Sequence, residues 1–275
     1  MDLTSIKNVK DLLEKYGAKP SKGLGQNFLV HGLTLAKIIE AGQVNSSDTV
    51  LEIGPGIGTL TRELAKHAKQ VIAIEKDSMM VKILKETLKD CPNVKVIHGD
   101  ALTHNYSLLT TNYKLVANLP YYIASPVIRK FLETSHRPEQ MVLMVQKEVA
   151  QRICANPPDM SILAISVQFY ATAKVMFSVN KEKFWPSPKI DSAIIKIAPH
   201  NAGLTVPAEL FFTIVKAGFS HPRKQLANNF SMTLKISRED VETWLSKNNL
   251  QPNQRAETLS IQNWIDLVSS FSESE

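Results

Sequence analysis

Short apolar runs alternate with amphipathic segments through the first two thirds of the chain. The apolar runs are three to five residues long and are typical of buried strands, while the segments between them repeat apolar positions at helical spacing. This alternation predicts an α/β fold, in which a parallel sheet carries helices on both faces. The predicted strands are 50–53, 71–74, 94–98, 115–117 and 141–145, and the predicted helices are 60–67, 78–88 and 123–133.

The pattern changes in the last third of the chain. Residues 174–179 and 193–197 are apolar or alternating, and the stretch between them contains two prolines and no clear helix. Such a pair predicts an antiparallel, hairpin-like sheet edge rather than another parallel crossover. Beyond residue 199 the pattern is only helical, so we expect a first domain over 1–203 and a small all-helical domain over 204–275. The predicted helices of that second domain are 210–217, 225–234, 238–247 and 261–271.

Composition narrows the classes of protein that fit this pattern. Of the 275 residues, 44% are hydrophobic and 21% are charged, which supplies enough apolar material for a buried core. A net charge of +6 and a pI near 9.1 favour a polyanionic partner. Cys91 and Cys154 lack the spacing of a metal site or a disulfide framework, and no segment resembles a signal peptide or a membrane span. We therefore expect a cytoplasmic protein that holds no metal and does not enter a membrane.

The strongest local feature is a glycine-rich turn between a predicted strand and a predicted helix, with Gly54, Gly56 and Gly58 in Gly-x-Gly-x-Gly spacing. Glycines let the chain turn tightly and let a ligand approach the backbone. A nicotinamide dehydrogenase would place its third glycine one position later, and a P-loop would continue with Gly-Lys-Ser/Thr. S-adenosylmethionine fits better, because it has no phosphates and presents a sulfonium, an ammonium, a ribose diol and an adenine. A purely structural turn is the alternative.

Acidic residues end the next two predicted strands. Glu75 ends the second strand, where a carboxylate can accept hydrogen bonds from ribose hydroxyls, and Asp100 follows the third, where it can accept one from the adenine amine. The alternatives are a solvated charge for Glu75 and a turn-capping role for Asp100. Because ligands of such sheets bind at the carboxyl ends of strands, three successive strand ends with these signals predict one cofactor site.

The fourth predicted strand ends in Asn118-Leu119-Pro120-Tyr121. An amino group on a base is a poor nucleophile, since its lone pair is delocalised into the ring. The Asn118 side-chain oxygen and the Leu119 carbonyl can accept its two N–H groups and aim the lone pair at a methyl group. Pro120 restricts the conformation of Leu119, and Tyr121 can stack on the flipped base. A strand-to-loop turn without chemistry is the alternative.

These motifs together resemble the KsgA/Dim1 family of ribosomal RNA adenine dimethyltransferases. The resemblance covers nearly the whole chain, and the combination of motifs is more specific than any one of them. It implies a Rossmann-like class I methyltransferase fold with a mostly parallel sheet, an antiparallel edge hairpin and a small helical C-terminal domain. The motifs that carry the resemblance are 22–29 (KGLGQNFL), 52–61 (EIGPGIGTLT), 118–121 (NLPY), 184–192 (FWPSPKIDS), Gly218-Phe219 with Arg223-Lys224, and 255–260 (RAETLS).

The resemblance also implies a function. It implies dimethylation of N6 of two adjacent adenines near the 3′ end of 16S ribosomal RNA, with S-adenosylmethionine as methyl donor, during late maturation of the 30S subunit. We expect a monomer whose helical domain contacts RNA. Asn27 and Leu29 are implied to contact the cofactor together with Gly54, Gly56, Glu75, Asp100 and Asn118. Phe184 is implied to cover the face of the target adenine opposite Tyr121, although a core aromatic is the alternative.

The chain departs from the usual residues of the family at two places, and two rival functions also fit its motifs. Gly23 stands where the family often has a polar or basic residue, and 160–165 (MSILAI) differs from the usual Tyr-Gly-x-Leu-Ser-Val. Macrolide-resistance methyltransferases share the chemistry but act on large-subunit RNA, and they usually have a different glycine loop and Asn-Ile-Pro-Tyr. An assembly or transcription factor that no longer methylates is the second rival.

The candidate phosphate contacts, each also explicable as a surface charge, are Lys15, Lys19, Lys22, Arg223, Lys224 and Arg255.

Overall fold

The computed structural model describes residues 1–106, 112–200 and 205–272, and it divides into two compact units. The first, called the sheet unit, comprises residues 1–150 and 173–199. Its strands are β1 (Phe28–Leu29), β2 (Thr49–Ile53), β3 (Gln70–Glu75), β4 (Val94–His98), β5 (Lys114–Asn118), β6 (Gln140–Gln146), β7 (Ala171–Val179), β8 (Phe184–Trp185) and β9 (Ser192–Pro199).

Seven of these strands form one sheet in the order β4-β3-β2-β5-β6-β9-β7. The five strands from β4 to β6 in this order are paired in parallel, and β9 is antiparallel to β6. This confirms the predicted mostly parallel sheet. The predicted edge pair is also present, since β7 is hydrogen-bonded to β9 and forms the edge, while β9 has neighbours on both sides. Because the parallel strands share one direction, the loops after β2, β3, β4 and β5 meet at one edge of the sheet.

The sheet unit has helices whose apolar faces pack on the sheet. Leu35 and Ile38 of α2 (Gly32–Gly42) join Leu60 and Leu64 of α3 (Thr59–His67) in a fully apolar cluster against the strands. Asp77 caps the N-terminus of α4 (Ser78–Thr87), because its Oδ1 accepts a hydrogen bond from the Met79 N–H at 2.8 Å. The helices are α1 (Ile6–Lys15), α2 (Gly32–Gly42), α3 (Thr59–His67), α4 (Ser78–Thr87) and α5 (Ala124–Glu133), with a 3₁₀ turn at Tyr121–Ile123 before α5, and α6 (Lys147–Ile153) leads out of the unit.

The second unit, called the helical unit, comprises residues 151–172 and the chain from 200 onward. Its core is aromatic: Trp264 is fully buried, and its ring lies 6.3 Å from that of Phe230. Ser237 caps the N-terminus of α10 (Arg238–Lys247), because its Oγ accepts a hydrogen bond from the Asp240 N–H at 3.1 Å. The helices are α7 (Ile162–Gln168), α8 (Ala208–Gly218), α9 (Leu226–Leu234), α10 (Arg238–Lys247) and α11 (Ile261–Ser272). No helix in the described ranges is long and apolar enough to cross a membrane.

The boundary between the units differs from the one expected. The expected boundary at 203/204 lies outside the described residues, and residues 151–172, expected in the first domain, group with the later helices. Aromatic packing accounts for this grouping, because the Phe169 ring stacks on that of Phe211 at 3.9 Å between centroids. Sequence periodicity does not reveal such a segment, since α7 has only seven residues and forms its contacts with distant parts of the chain.

Candidate functional site

A cleft opens at the carboxyl ends of β2, β3 and β5. It holds about 1110 Å³ of unfilled space, which includes open solvent, so a ligand can enter it from outside. The structure brings every sequence-predicted site residue to the lining of this one cleft. These residues are Asn27, Leu29, Gly54, Gly56, Glu75, Asp100, Asn118, Leu119, Pro120, Tyr121 and Phe184.

The glycine turn after β2 forms the floor of the cleft. Gly54 and Gly56 have φ values of +68° and +59°, in the left-handed region that favours glycine. Space is also tight at Gly56, where a Cβ would lie 3.1 Å from Cε1 of Phe28. A Cβ on Gly54 would make an ordinary contact, 3.4 Å from Cδ of Pro120. The turn is therefore a cradle that a side chain would fill, which fits close approach of a ligand to the backbone.

Glu75 lies at the end of β3 and is almost fully buried. Its Oε1 accepts a hydrogen bond from the Asp77 N–H at 2.8 Å, and its Oε2 accepts one from the Gly56 N–H at 3.0 Å. Burial raises the pKa of Glu75, and these backbone hydrogen bonds oppose the rise. Each carboxylate oxygen keeps a second lone pair, so Glu75 can still accept hydrogen bonds from two hydroxyls of a ligand.

Glu52 lines the same cleft one residue before the end of β2 and is 1% exposed. Burial raises its pKa to about 8, and the charge of Glu75 adds to the rise. Its Oε2 is buried and has no hydrogen-bond partner among the described residues. A buried carboxyl oxygen without a partner is costly, so a cationic or N–H group of a ligand would stabilise it. Glu52 belongs to the 52–61 motif, but the sequence alone predicts no role for it.

Asp100 follows β4, where it caps a turn and also lines the cleft. Its Oδ1 accepts a hydrogen bond from the Leu102 N–H at 2.9 Å. Its Oδ2 pairs with Nζ of Lys76 at 2.8 Å, and this contact is the main reason that the pKa of Asp100 is lowered. Asp100 is therefore a fixed carboxylate with unused lone pairs at the end of the cleft.

Asn118 ends β5, and its amide is oriented by the N-terminal segment of the chain. Its Nδ2 donates to the backbone oxygen of Asn27 at 3.4 Å, which turns Oδ1 away from that partner. The Leu119 N–H donates to the Met144 oxygen at 3.3 Å, and the Leu119 carbonyl oxygen accepts no hydrogen bond from the described residues. The Asn118 and Leu119 oxygens thus remain as two acceptors beside the cleft.

Two aromatic rings that line the cleft are held by different contacts. The Tyr121 hydroxyl is 2.8 Å from Oγ of the buried Ser192, and burial raises the pKa of Tyr121. Phe184 is 3% exposed and also belongs to the apolar core, so the core interpretation of this residue holds alongside its place in the cleft. Strand β8 brings it there, because β8 pairs with β1 so that Phe184 lies opposite Leu29.

The structure adds contacts that the sequence analysis did not identify. Gln26 donates through Nε2 to Oδ2 of Asp77 at 2.9 Å, which ties the N-terminal segment to the end of β3. The sequence signal that could have identified Gln26 is its position inside the 22–29 motif. Tyr122 and Lys76 also line the cleft. Each directly follows a predicted site residue, Tyr121 and Glu75 respectively.

The candidate phosphate contacts differ in their availability. Lys15 forms an ion pair with Glu86 at 2.7 Å, and Arg255 lies 3.7 Å from a carboxylate oxygen of Glu257. These pairings reduce the charge that either residue presents to another partner, although exposed pairs are weak. The remaining candidates are exposed: Lys19, Lys22, Arg223 and Lys224.

The residues of the cleft fit S-adenosylmethionine. Carboxyl groups of Glu52, Glu75 and Asp100 are chemically suited to an ammonium, a ribose diol and an adenine amine, respectively. The unpartnered Oε2 of Glu52 and the cradle at Gly54 and Gly56 are both features that such a ligand would complete. A phosphate-bearing cofactor fits poorly, because the carboxylates of Glu75 and Asp100 would repel its charge.

Comparison with known proteins agrees with this geometry. The family model described as "Ribosomal RNA adenine dimethylase" matches residues 17–273. "Ribosomal RNA small subunit methyltransferase A" of Dehalococcoides mccartyi is 44% identical over 269 residues, covering 96% of this chain and 92% of that protein. The protein of the same name from Clostridium botulinum (strain Okra / Type B1) is 41% identical over 262 residues, covering 93% and 95%.

Two solved structures share the fold over most of their length. A dimethyladenosine transferase from Plasmodium falciparum has a TM-score of 0.77 and 30% identity, covering 90% of this chain and 98% of that one. The 23S rRNA methyltransferase ErmE has a TM-score of 0.75 and 28% identity, covering 90% and 100%. The expected class I methyltransferase fold is confirmed, and the chain belongs to the ribosomal RNA adenine dimethylase family.

Proposed function

We propose that this enzyme transfers methyl groups from S-adenosylmethionine to N6 of two adjacent adenines near the 3′ end of 16S ribosomal RNA. We further propose that it acts as a monomer on immature 30S subunits in the cytoplasm. The observation that carries the proposal is the position of residues 118–121, which lie in one cleft with the glycine turn and its carboxylates. The names of the relatives, small-subunit methyltransferases, support the choice of RNA.

The acceptor residues act on the geometry of the target nitrogen. The oxygens of Asn118 and Leu119 accept its two N–H groups, which favours a pyramidal nitrogen whose lone pair is free to attack. Pro120, with φ −54° and ψ 129°, holds the Leu119 carbonyl in place at the start of the 3₁₀ turn. Tyr121 and Phe184 hold the flipped base by stacking on its faces. The oxygen acceptors also stabilise the positive charge that develops on nitrogen.

No residue of the cleft needs to act as a strong general base. S-adenosylmethionine, when bound, would supply an electrophilic methyl group and would keep the electron pair of the bond to its sulfur. The methylated amine would then release its extra proton to water, because its acidity is raised by the attached ring. Asn118 and Leu119 remain neutral acceptors throughout, and the raised pKa of Tyr121 keeps its hydroxyl protonated near neutral pH.

Large-subunit RNA is the principal alternative substrate, because ErmE has a closely similar fold. The turn sequence Gly54-Pro-Gly-Ile-Gly58 and the Asn118-Leu119 pair favour the small-subunit substrate by their resemblance to the family. The distinction concerns RNA recognition, since both substrates present the same adenine amine.

Mass spectrometry of RNA after incubation with purified enzyme and isotopically labelled methyl donor tests the proposal. The substrates are 30S and 50S subunits from a strain that lacks the modification, and Asn118→Ala is the matched inactive control. We expect two dimethyladenines in 16S RNA from 30S subunits and none in 23S RNA. Label in 23S RNA alone, or no label in either RNA, would contradict the proposed function.

A further inference from the structure

Tyr122 has an unusual environment for an aromatic residue. Its side chain is 54% exposed, and it is the one aromatic among the exposed large apolar residues in the parts of the chain that the structure describes. Its hydroxyl forms no hydrogen bond with those residues. Tyr121, its neighbour in the chain, is by contrast partly buried and bonded to Ser192. An exposed aromatic ring at the edge of a binding cleft is a typical recognition feature.

The ring is held in place by its backbone and by one neighbour. Tyr122 is the middle residue of the 3₁₀ turn that follows Pro120, so its backbone is fixed from both sides. A Cβ built on Gly25 would lie 3.8 Å from Cδ1 of Tyr122, so the Gly25 segment passes beside the ring. The exposed remainder of the ring is thus preorganised, which lowers the entropic cost of stacking another planar group on it.

The direction of the ring suggests what it contacts. A 3₁₀ helix has about three residues per turn, so successive side chains point about 120° apart. When Tyr121 stacks on a base inside the cleft, Tyr122 therefore points elsewhere, at the same rim. A nucleotide that adjoins a flipped base in a single strand stays outside the pocket but within reach of that rim.

The charges around Tyr122 are suited to nucleic acid. Lys76 is exposed and lines the same cleft as Tyr122, with its Nζ paired to the Asp100 carboxylate at 2.8 Å. Lys22 is also exposed, and its carbonyl oxygen accepts a hydrogen bond from the Gly25 N–H at 3.1 Å, which places this lysine in the segment that flanks the ring. An aromatic ring with cations beside it is the common arrangement for binding single-stranded nucleic acid.

We propose that the Tyr122 ring stacks on the RNA base adjoining the target adenine while that adenine occupies the cleft. The inference rests on the proposed RNA substrate and adds a second base-binding position to it. Stacking on an aromatic ring tolerates any base, because every base has a π face. Tyr122 thus binds the adjoining base by stacking on its flat face, and it does not select which base is present.

The test measures RNA affinity and cofactor affinity separately. Fluorescence anisotropy gives the Kd of the full-length protein for a small-subunit RNA fragment that contains the target adenines, and calorimetry gives its Kd for S-adenosylhomocysteine. We expect Tyr122→Ala to weaken RNA binding about 5- to 100-fold, and Tyr122→Phe to stay within about twofold of wild type because it retains the stacking face. Leu33→Ala, at a residue that is 73% exposed, is the control for loss of surface apolar area.

An abasic nucleotide next to the target adenine gives the sharper test. Removing that base should weaken wild-type binding but leave the affinity of Tyr122→Ala unchanged, so that the two changes are strongly coupled in a thermodynamic cycle. Additive effects would overturn the proposal, and so would unchanged RNA affinity in Tyr122→Ala. A loss of cofactor affinity equal to the loss of RNA affinity would also overturn it and assign the ring to the cofactor.

These outcomes are distinct from failure of the proposed function. Methylation by wild-type enzyme is measured in parallel on 30S subunits, and its absence contradicts the function without involving Tyr122. The binding measurements need no turnover, so they support or overturn the stacking role in either case. Thermal unfolding of each variant confirms that the exposed substitution leaves the fold intact.

Discussion

The two ends of the cleft differ in charge. One end, called the donor end, has the carboxyl groups of Glu52, Glu75 and Asp100, and two of these are buried. The other, called the acceptor end, comprises residues 118–121 and Phe184, and none of these has a charged side chain. A cationic methyl donor is matched by the first, and a neutral adenine amine by the second. The donor end is thus assigned mainly to cofactor binding and the acceptor end to methyl transfer, with Asn118 predicted to contact the cofactor as well, and substitutions should separate the two activities.

The largest expected effect is at the acceptor end. Replacing Asn118 with Ala removes an oriented acceptor of an amine N–H, and we expect the rate of methyl transfer to fall by at least about 100-fold, as for other preorganised groups that stabilise developing charge. The affinity for S-adenosylhomocysteine should stay within about threefold of the wild-type value, because the carboxyl groups of the donor end are unchanged in this variant. Single-turnover kinetics and calorimetry measure the two quantities, and an unchanged rate would remove Asn118 from the mechanism.

Glu75 tests the donor end. Loss of its hydrogen bonds to ribose hydroxyls should weaken cofactor affinity by about 10- to 100-fold, since hydrogen bonds to charged groups contribute about 1.5–3 kcal/mol. The Glu75→Gln variant keeps one oxygen acceptor, and we expect it to fall between Glu75→Ala and wild type. The rate at saturating cofactor should change far less than in Asn118→Ala. Cofactor affinity equal to wild type in Glu75→Ala would disprove the assignment.

Glu52 predicts a dependence of stability on pH. Its pKa is about 8 when folded and near 4.5 when unfolded, so the native state binds the extra proton between these values. Stability therefore falls as pH rises from about 4.5 to about 8, by up to a few kcal/mol. We expect the free energy of unfolding of Glu52→Gln, relative to wild type, to increase over this range in denaturant titrations. The control Glu40→Gln, at an exposed residue of α2, should show no such trend, and parallel curves for all three proteins would refute the prediction.

Lys76 should have the smallest effect. Its ion pair with Asp100 is largely exposed, so replacing Lys76 with Met should weaken cofactor affinity by about threefold or less, and added salt should remove the difference. Lys66→Met, which removes a similarly exposed lysine from α3, should leave cofactor affinity unchanged at every salt concentration. A loss comparable to that of Glu75→Ala would mean that Asp100 depends on Lys76 for its position.

Sequence patterns predicted the strand ends of the sheet unit well. Apolar runs that end in Gly54, Glu75, Asp100 and Asn118 fix which residues meet, because parallel strands present their carboxyl ends at one edge. The family resemblance supplied Asn27, Leu29 and Phe184, which the pairing of β1 with β8 brings into the same cleft. The roles of these residues in catalysis remain predictions.

Features that depend on tertiary burial were beyond the sequence. The complete burial of Glu52 is not visible in a motif, because a carboxyl at a strand end is normally solvated. The exposure of Tyr122 beside a partly buried neighbour is likewise a property of the 3₁₀ turn. Residues 151–172 group with the helical unit through contacts such as Phe169 with Phe211, which are distant in sequence. Local periodicity does not predict such contacts.

A crystal structure of the protein with S-adenosylhomocysteine tests the separation of the two ends most directly. We expect its adenosine at Glu75 and Asp100, its amino group near Glu52, and its sulfur facing the Asn118 side-chain oxygen across the Gly54 turn. An empty Gly54 turn, a cofactor bound in the opposite direction, or an Asn118 side chain directed into the core would contradict this assignment.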